Sequence, residues 1–235
     1  MPDTLVELSA ISKTYRLGAV RVRALADVSL RIDRGDFVAI AGPSGSGKTT
    51  LLNIIGCIDK PDTGRIVIDG GDVTRTPLHR LTELRRDTLG FIFQTFNLIP
   101  VLSAYENVEY PLLLKHVPRR ERDERVRHWL DHVGLSQHMK QRPDQLSGGQ
   151  RQRVAIARAM AGDPKLVVAD EPTANLDSET AAHILDLLGR INDSSGCTFV
   201  FSTHDAALMS LAGRVVRIRD GRITATEPRL AATAS

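Results

Sequence analysis

The fold is decided by a short apolar stretch that runs into a glycine-rich loop. Phe37-Val38-Ala39-Ile40-Ala41 is followed directly by Gly42-Pro43-Ser44-Gly45-Ser46-Gly47-Lys48-Thr49. The apolar stretch suits a strand buried on both faces, and the stretch from Lys48 to Ile55 is compatible with a helix. The loop between them matches the phosphate-binding pattern G-x-x-x-x-G-K-[ST]. This order of elements predicts an α/β fold built on a phosphate-binding loop.

The chemistry of phosphate binding explains the residue types in this loop. Glycines let backbone N–H groups approach phosphate oxygens without an obstructing Cβ, and the N-terminus of the following helix attracts an anion. Lys48 can reach the β- and γ-phosphates of a nucleotide, and the Thr49 hydroxyl is placed to bind Mg²⁺. A chance glycine-rich turn is the alternative, which the position between strand and helix disfavours. The predicted nucleotide contacts are Gly42, Pro43, Ser44, Gly45, Ser46, Gly47, Lys48, Thr49 and Thr50.

A second motif is Leu166-Val167-Val168-Ala169-Asp170-Glu171, an apolar strand that ends in two carboxylates. A strand buried on both faces would deliver Asp170 beside the phosphate-binding loop, where the carboxylate can hold Mg²⁺. Glu171, the next residue, points in a different direction from Asp170 and can accept a proton from an attacking water molecule. An ordinary strand end with solvated acids is the alternative, and the phosphate-binding loop earlier in the chain favours the catalytic interpretation.

The rarest string is Leu146-Ser147-Gly148-Gly149-Gln150, which precedes a predicted helix over 151–161. Ser147, two glycines and a free helix N-terminus form a second anion-binding end. One nucleotide does not need two phosphate cradles from the same chain, so we predict that this end binds the nucleotide of another subunit. A Ser-Gly-Gly helix start without a ligand is the alternative.

Strand and helix patterns alternate in the first and last thirds of the chain, and the middle third is helical. This alternation predicts a parallel sheet with a helical subdomain inserted over about 95–161. The stretch from Lys115 to Arg127 mixes both charge signs, which is typical of a solvated helix face. Ser178 is predicted to cap a later helix. The apolar face of that helix comprises Ala181, Ile184, Leu185, Leu188 and Ile191.

Composition limits the class of function. The chain has 235 residues, of which 42% are hydrophobic, and a formal net charge of +3. That excess is too small to indicate a nucleic-acid partner, and we expect none. Cys57 and Cys197 form neither a disulfide framework nor a zinc pattern, which fits a reducing compartment. No apolar stretch approaches the ~18 residues that a membrane span needs, so we expect a soluble, cytosolic-type protein.

With these motifs in order, the sequence resembles the ATP-binding subunit of an ABC transporter over nearly its whole length. The string from Leu146 to Gln150 is identical to the signature motif of that family. The resemblance implies a P-loop NTPase (RecA-like) core with an N-terminal antiparallel β-layer and a helical subdomain, all within one domain over 1–235. Three further segments are similar to the lipoprotein-release and macrolide-export branch: Leu51 to Asp59, Glu106 to Val108 with Pro111 and Leu112, and Ala169 to Thr173.

The resemblance also implies roles for residues outside the three motifs. Tyr15 would stack on the adenine, and Gln94 would meet Mg²⁺ and the attacking water. Asp177 would cross the dimer interface, and His204 would contact the γ-phosphate. Each residue has a simpler alternative when it is taken singly: Tyr15 as an edge-strand aromatic, Gln94 as a surface amide and His204 as a polar strand end. The signature residues Ser147, Gly148, Gly149 and Gln150 would contact the nucleotide bound by the other subunit.

The predicted function is therefore that of an ATPase subunit, with ATP and Mg²⁺, that powers a membrane transporter of the export or extraction type. It would dimerise on ATP binding and dock on integral-membrane permease subunits near Thr95 to Glu106, at the cytoplasmic side of the cell (inner) membrane. An import ATPase and a non-transport ATPase that regulates a cell-envelope process stay open as alternatives. A P-loop kinase would leave Leu146 to Gln150 without a role.

Overall fold

The computed structural model describes residues 3–228. The strands are β1 (Thr4–Leu17), β2 (Val20–Asp33), β3 (Phe37–Ala41), β4 (Thr63–Ile68), β5 (Gly71–Asp72), β6 (Leu89–Ile92), β7 (Leu166–Asp170), β8 (Thr198–Thr203), β9 (Arg214–Arg219) and β10 (Arg222–Pro228). The helices are α1 (Lys48–Ile55), α2 (Leu81–Thr88), α3 (Ala104–Leu114), α4 (Arg119–His132), α5 (Gly148–Ala161), α6 (Ser178–Ser195) and α7 (Ala206–Leu211). Short 3-10 helices cover Leu78–Arg80, Ser136–His138 and Pro143–Gln145.

A six-stranded sheet in the order β10-β9-β3-β8-β7-β6 forms the centre of the fold. Its strands pair in parallel except for β10, which is antiparallel to β9. All five residues of β3 are buried, and they alternate between two apolar clusters. This burial explains the continuous apolar stretch. Because β3, β7 and β8 are parallel, the residues that follow Ala41, Asp170 and Thr203 meet at one edge of the sheet.

A second sheet, in the order β2-β1-β4-β5, is antiparallel throughout. Its buried residues share an apolar cluster with α1 and with one face of β3. The alternation of Val28, Leu30 and Ile32 with polar residues is that of a half-buried strand, and all three are buried. The expected antiparallel layer near the N-terminus is therefore confirmed.

Helices α3, α4 and α5 pack on one another and on the face of the central sheet that carries Phe37 and Ala39. Val126 and Leu130 are buried along one face of α4, and Val133, which directly follows the helix, is buried at the same spacing, as helical periodicity predicts. Its opposite face is solvated and carries ion pairs four residues apart, which agrees with the interpretation of the mixed-charge stretch. The predicted class, an α/β core with helices and an antiparallel layer, is confirmed.

Two local predictions are wrong by one residue. The cap of α6 is Asp177, whose Oδ1 accepts a hydrogen bond from the backbone N–H of Thr180 at 2.9 Å. Ser178 is the first helical residue. Aspartate and serine are equally good caps, so adjacent candidates cannot be ranked by residue type. The apolar residues from Gly90 to Phe93 also predict a short strand, and the structure places β6 one residue earlier, at Leu89–Ile92.

Candidate active site

The loop from Gly42 to Gly47 joins β3 to α1, and its glycines meet a backbone requirement. Gly45 and Gly47 have φ values of 77° and 106°, which residues with a side chain rarely adopt. A Cβ on Gly47 would lie 2.5 Å from the carbonyl oxygen of Ala24 on β2. A Cβ on Gly45 would meet nothing within 4 Å. The loop is thus packed tightly against the antiparallel layer at its end, while its middle is open to a ligand.

Lys48 lies at the start of α1 with its ammonium group folded over this loop. Only 7% of the residue is exposed. Its Nζ donates to the carbonyl oxygens of Gly42 and Pro43, at 2.9 and 3.1 Å. Both partners are neutral, so phosphate oxygens would be stronger acceptors for the same group.

Asp170 ends β7 beside the phosphate-binding loop, as the sequence predicts. Its Oδ1 accepts hydrogen bonds from Thr49 Oγ1 at 3.3 Å and from Ser202 Oγ at 2.5 Å. Ser202 lies opposite Asp170 in the parallel register of β7 and β8. The strand pairing therefore holds a carboxylate next to the Thr49 hydroxyl, and these are oxygen ligands of the type that Mg²⁺ prefers.

Glu171 turns away from Asp170 because its backbone adopts a positive φ of 44°. Its N–H donates to Ser202 Oγ at 3.0 Å, so one serine fixes both acidic residues. Its Oε1 lies 3.5 Å from Nδ1 of His204, which follows β8 and is 70% exposed. The structure thus brings Glu171 and His204 together at the mouth of the site.

One cavity of about 460 Å³ connects most of the predicted residues, a size within the usual range of ligand sites. It is lined by Tyr15, Val22, Arg23, Ala24, Ser44, Gly45, Gly47, Lys48, Thr49, Thr50, Gln94, Asp170 and Glu171. His204 lines an adjoining cavity with Glu171. Ser147 to Gln150 line neither cavity.

Tyr15 lies on β1 at one end of this cavity, and two neighbouring side chains hold its ring. Its hydroxyl donates to Asp59 Oδ2 at 2.7 Å. Lys13 Nζ lies 5.1 Å from the ring centroid and forms an ion pair with Asp59 at 2.7 Å. Burial, followed by the hydrogen bond to Asp59, raises the pKa of Tyr15. Sequence reasoning missed Asp59, because its role depends on a contact between β1 and the segment that follows α1.

The signature string starts α5 through a reciprocal cap. Ser147 Oγ accepts from the backbone N–H of Gln150 at 3.2 Å, and Gln150 Oε1 accepts from the backbone N–H of Ser147 at 2.9 Å. A Cβ on Gly149 would lie 2.5 Å from Thr180 Cγ2, so glycine allows α5 to start against α6. Ser147 is exposed at this helix end, and Asp177 caps the neighbouring helix.

Fold and site together define a P-loop NTPase. The family model described as "ABC transporter" matches residues 25–174. The chain belongs to the ABC transporter family, as an ATP-binding subunit with ATPase activity, and this prediction is confirmed. No helix within residues 3–228 is long and apolar enough to cross a membrane.

Relatives cover almost the whole chain. An "Uncharacterized ABC transporter ATP-binding protein" of Thermotoga maritima is 48% identical over 225 residues, which are 96% of each chain. A "Macrolide export ATP-binding/permease protein MacB" of Syntrophobacter fumaroxidans is 48% identical over 93% of this chain and 31% of its own length. The dimeric cassette MJ0796 of Methanocaldococcus jannaschii, solved in a post-hydrolysis state with ADP and Pi, is 44% identical. It matches with a TM-score of 0.90 over 97% of this chain and 100% of its own.

Proposed function

We propose that this chain is the motor of an export or extraction system and that two copies close head to tail on ATP. The observation that carries the proposal is the separation of two anion-binding ends within one subunit. Lys48 and Thr49 line the nucleotide cavity, whereas Ser147 caps a helix outside it. A twofold arrangement would let the signature end of each subunit complete the cavity of the other. The MacB and MJ0796 relatives support export and dimerisation, respectively.

Each residue of the site has a separate role in the hydrolysis of ATP. Lys48 and the loop amides bind the β- and γ-phosphates, and Glu171 accepts the proton of the attacking water. His204 donates to a γ-phosphate oxygen. Thr49 and Asp170 would hold Mg²⁺ together with Gln94, which lines the same cavity. The hydroxyl oxygen of Thr49 and the carboxylate oxygen of Asp170 lie side by side and are ligands that suit this ion. When bound, Mg²⁺ neutralises charge on the phosphates.

Substitution of Tyr15 tests whether its ring stacks on the adenine at this end of the cavity. We expect Tyr15→Ala to raise KM for ATP about tenfold with kcat unchanged, because stacking of an aromatic ring on a base contributes roughly 1–3 kcal/mol. Tyr15→Phe keeps the ring and loses the bond to Asp59, so it is the matched control and should stay within about threefold of the wild-type KM. Steady-state phosphate release measures both variants. An unchanged KM for Tyr15→Ala would leave this residue as a structural aromatic.

The permease is proposed to dock on the segment from Thr95 to Glu106 and on the neighbouring face of α3. Val101 is 72% exposed, and Tyr110, Leu113 and Leu114 on α3 are also exposed. These four exposed apolar side chains fall within one short stretch of sequence, and exposed apolar groups favour a partner that buries them. Docking there would hold the chain peripherally at the cytoplasmic side of the membrane. It would also bring the permease near Gln94, which precedes the segment.

Val101→Asp tests this docking surface. We expect permease binding to weaken at least tenfold, because a buried valine contributes about 1.5–3 kcal/mol and a buried charge costs more. ATP turnover by the isolated subunit should be unchanged. Val20→Asp is the control, because Val20 is 61% exposed on the hairpin of the antiparallel layer. Co-purification with the permease measures binding. Crosslinks confined to the surface of β9 and β10 would contradict this proposal.

A further inference from the structure

The loop that follows Gln94 is held by side chains from two other parts of the chain. Asn175 Nδ2 donates to the carbonyl oxygen of Gln94 at 2.8 Å. Arg158 donates to the carbonyl oxygens of Phe96 and Asn97, at 2.9 and 2.5 Å. Phe96 and Asn97 have φ values of 62° and 47°, a strained conformation that persists only when surrounding contacts fix it. These three hydrogen bonds supply such contacts.

The hydrogen bonds to Phe96 and Asn97 also stabilise the guanidinium group of Arg158. The guanidinium is poorly solvated, and burial lowers the pKa of Arg158 to about 10, so it stays cationic at neutral pH. Within residues 3–228 no carboxylate forms an ion pair with it. A half-buried cation whose hydrogen-bond partners among residues 3–228 are two carbonyl oxygens would lose that compensation if the loop moved away.

Arg158 also connects this loop to the helix that begins at the signature string. It lies on α5, two helical turns after Arg151, so both side chains share one face of the helix. The guanidinium carbon of Arg151 lies 5.2 Å from the ring centroid of Phe96. Helix α5 therefore holds the loop through both the backbone and the ring of Phe96, while Ser147 caps its first turn.

We propose that Arg158 is a positioning residue that fixes Gln94 relative to the signature helix, with Asn175 holding the same loop from the segment before α6. The proposal rests on the role of Gln94 in the proposed function. When the first turn of α5 meets the nucleotide of the second subunit, the rigid helix carries the Gln94 loop with it. Arg158 thereby links closure of the dimer to the geometry of hydrolysis.

Arg158→Lys keeps the charge but cannot span two carbonyl oxygens in the same fork. We expect kcat, expressed per site that holds nucleotide, to fall about tenfold. KM for ATP should stay unchanged, because the substitution leaves the phosphate-binding loop as it is. The Mg²⁺ concentration for half-maximal activity should rise. Arg153→Lys is the matched control, because Arg153 lies on the same helix and its side chain makes no hydrogen bond or ion pair within the described residues. Normalising to bound nucleotide removes any effect of an unfolded fraction.

A double-mutant cycle with Gln94→Ala separates positioning from stability. If Arg158 acts through Gln94, then Arg158→Lys should have no further effect on kcat in the Gln94→Ala protein. Asn175 is exposed, and Asn175→Ala alone should lower kcat less than Arg158→Lys does. In the Gln94→Ala protein, Asn175→Ala should likewise have no further effect on kcat. Full additivity would overturn the positioning role while leaving Gln94 in the mechanism. If Gln94→Ala alone leaves kcat unchanged, the role of Gln94 in the proposed function fails first, and this proposal fails with it.

Discussion

Replacing Lys48 with alanine is expected to reduce ATP turnover to about 1% of the wild-type rate or less, since removing one preorganised donor to developing charge costs about 10²–10³-fold in kcat. Nucleotide binding should also weaken about tenfold, because a charge-assisted hydrogen bond contributes roughly 1.5–3 kcal/mol. The ammonium group lies over the phosphate-binding loop, where its present partners are the carbonyl oxygens of Gly42 and Pro43. Phosphate release and an ATP titration measure the two effects.

The control for this variant is Lys140→Ala, which removes one positive charge from an exposed position outside the cavity. Its turnover should equal that of the wild-type protein. A thermal melt of Lys48→Ala checks that the fold persists after loss of the two hydrogen bonds to carbonyl groups. Wild-type hydrolysis by Lys48→Ala would contradict the assignment of the whole phosphate-binding loop.

Local patterns predicted the parts of the fold that depend on burial and on neighbours in sequence. The bounds of β3 and α1 follow from a continuous apolar stretch and from the glycine-rich loop between them. The same reasoning failed at the start of α6, where Asp177 and Ser178 offer equivalent caps. Strand and helix types are set by periodicity, whereas a boundary depends on which of two adjacent residues makes the first contact.

The site was predictable where its chemistry lies within one motif and not where it depends on tertiary contacts. Lys48, Thr49 and Asp170 follow from two short strings. The hydroxyl of Ser202 that holds Asp170 and Glu171 comes from a strand 31–32 residues away, and only the register of β7 and β8 places it there. Arg158 contacts a loop 61–62 residues earlier in the chain. No residue pattern shows such a pairing before the fold is known.

The second large effect concerns the proposed dimer. Glu171→Gln keeps the shape of the side chain but removes the base, so turnover should fall at least about 100-fold, the lower end of the contribution of a general base. Asp170, Thr49 and Lys48 are unchanged, so ATP should still bind. Because hydrolysis no longer removes the nucleotide that joins the two subunits, the closed dimer should accumulate. Light scattering with Mg·ATP should report a dimer at tens of micromolar protein.

Ser147→Arg in the Glu171→Gln protein tests whether the signature end forms the other half of that interface. Ser147 is exposed and its contacts are confined to the helix cap, so an arginine there adds bulk and charge where the partner would close. We expect a monomer that still binds ATP. Ser103→Arg is the matched control, because Ser103 caps α3 through the same reciprocal arrangement with Glu106, and losing either cap costs about 1 kcal/mol. The control should still dimerise, so a monomeric Ser147→Arg cannot be attributed to loss of a cap. A Glu171→Gln protein that stays monomeric with Mg·ATP would count against the head-to-tail arrangement itself, because its cavity and its signature end would both be intact.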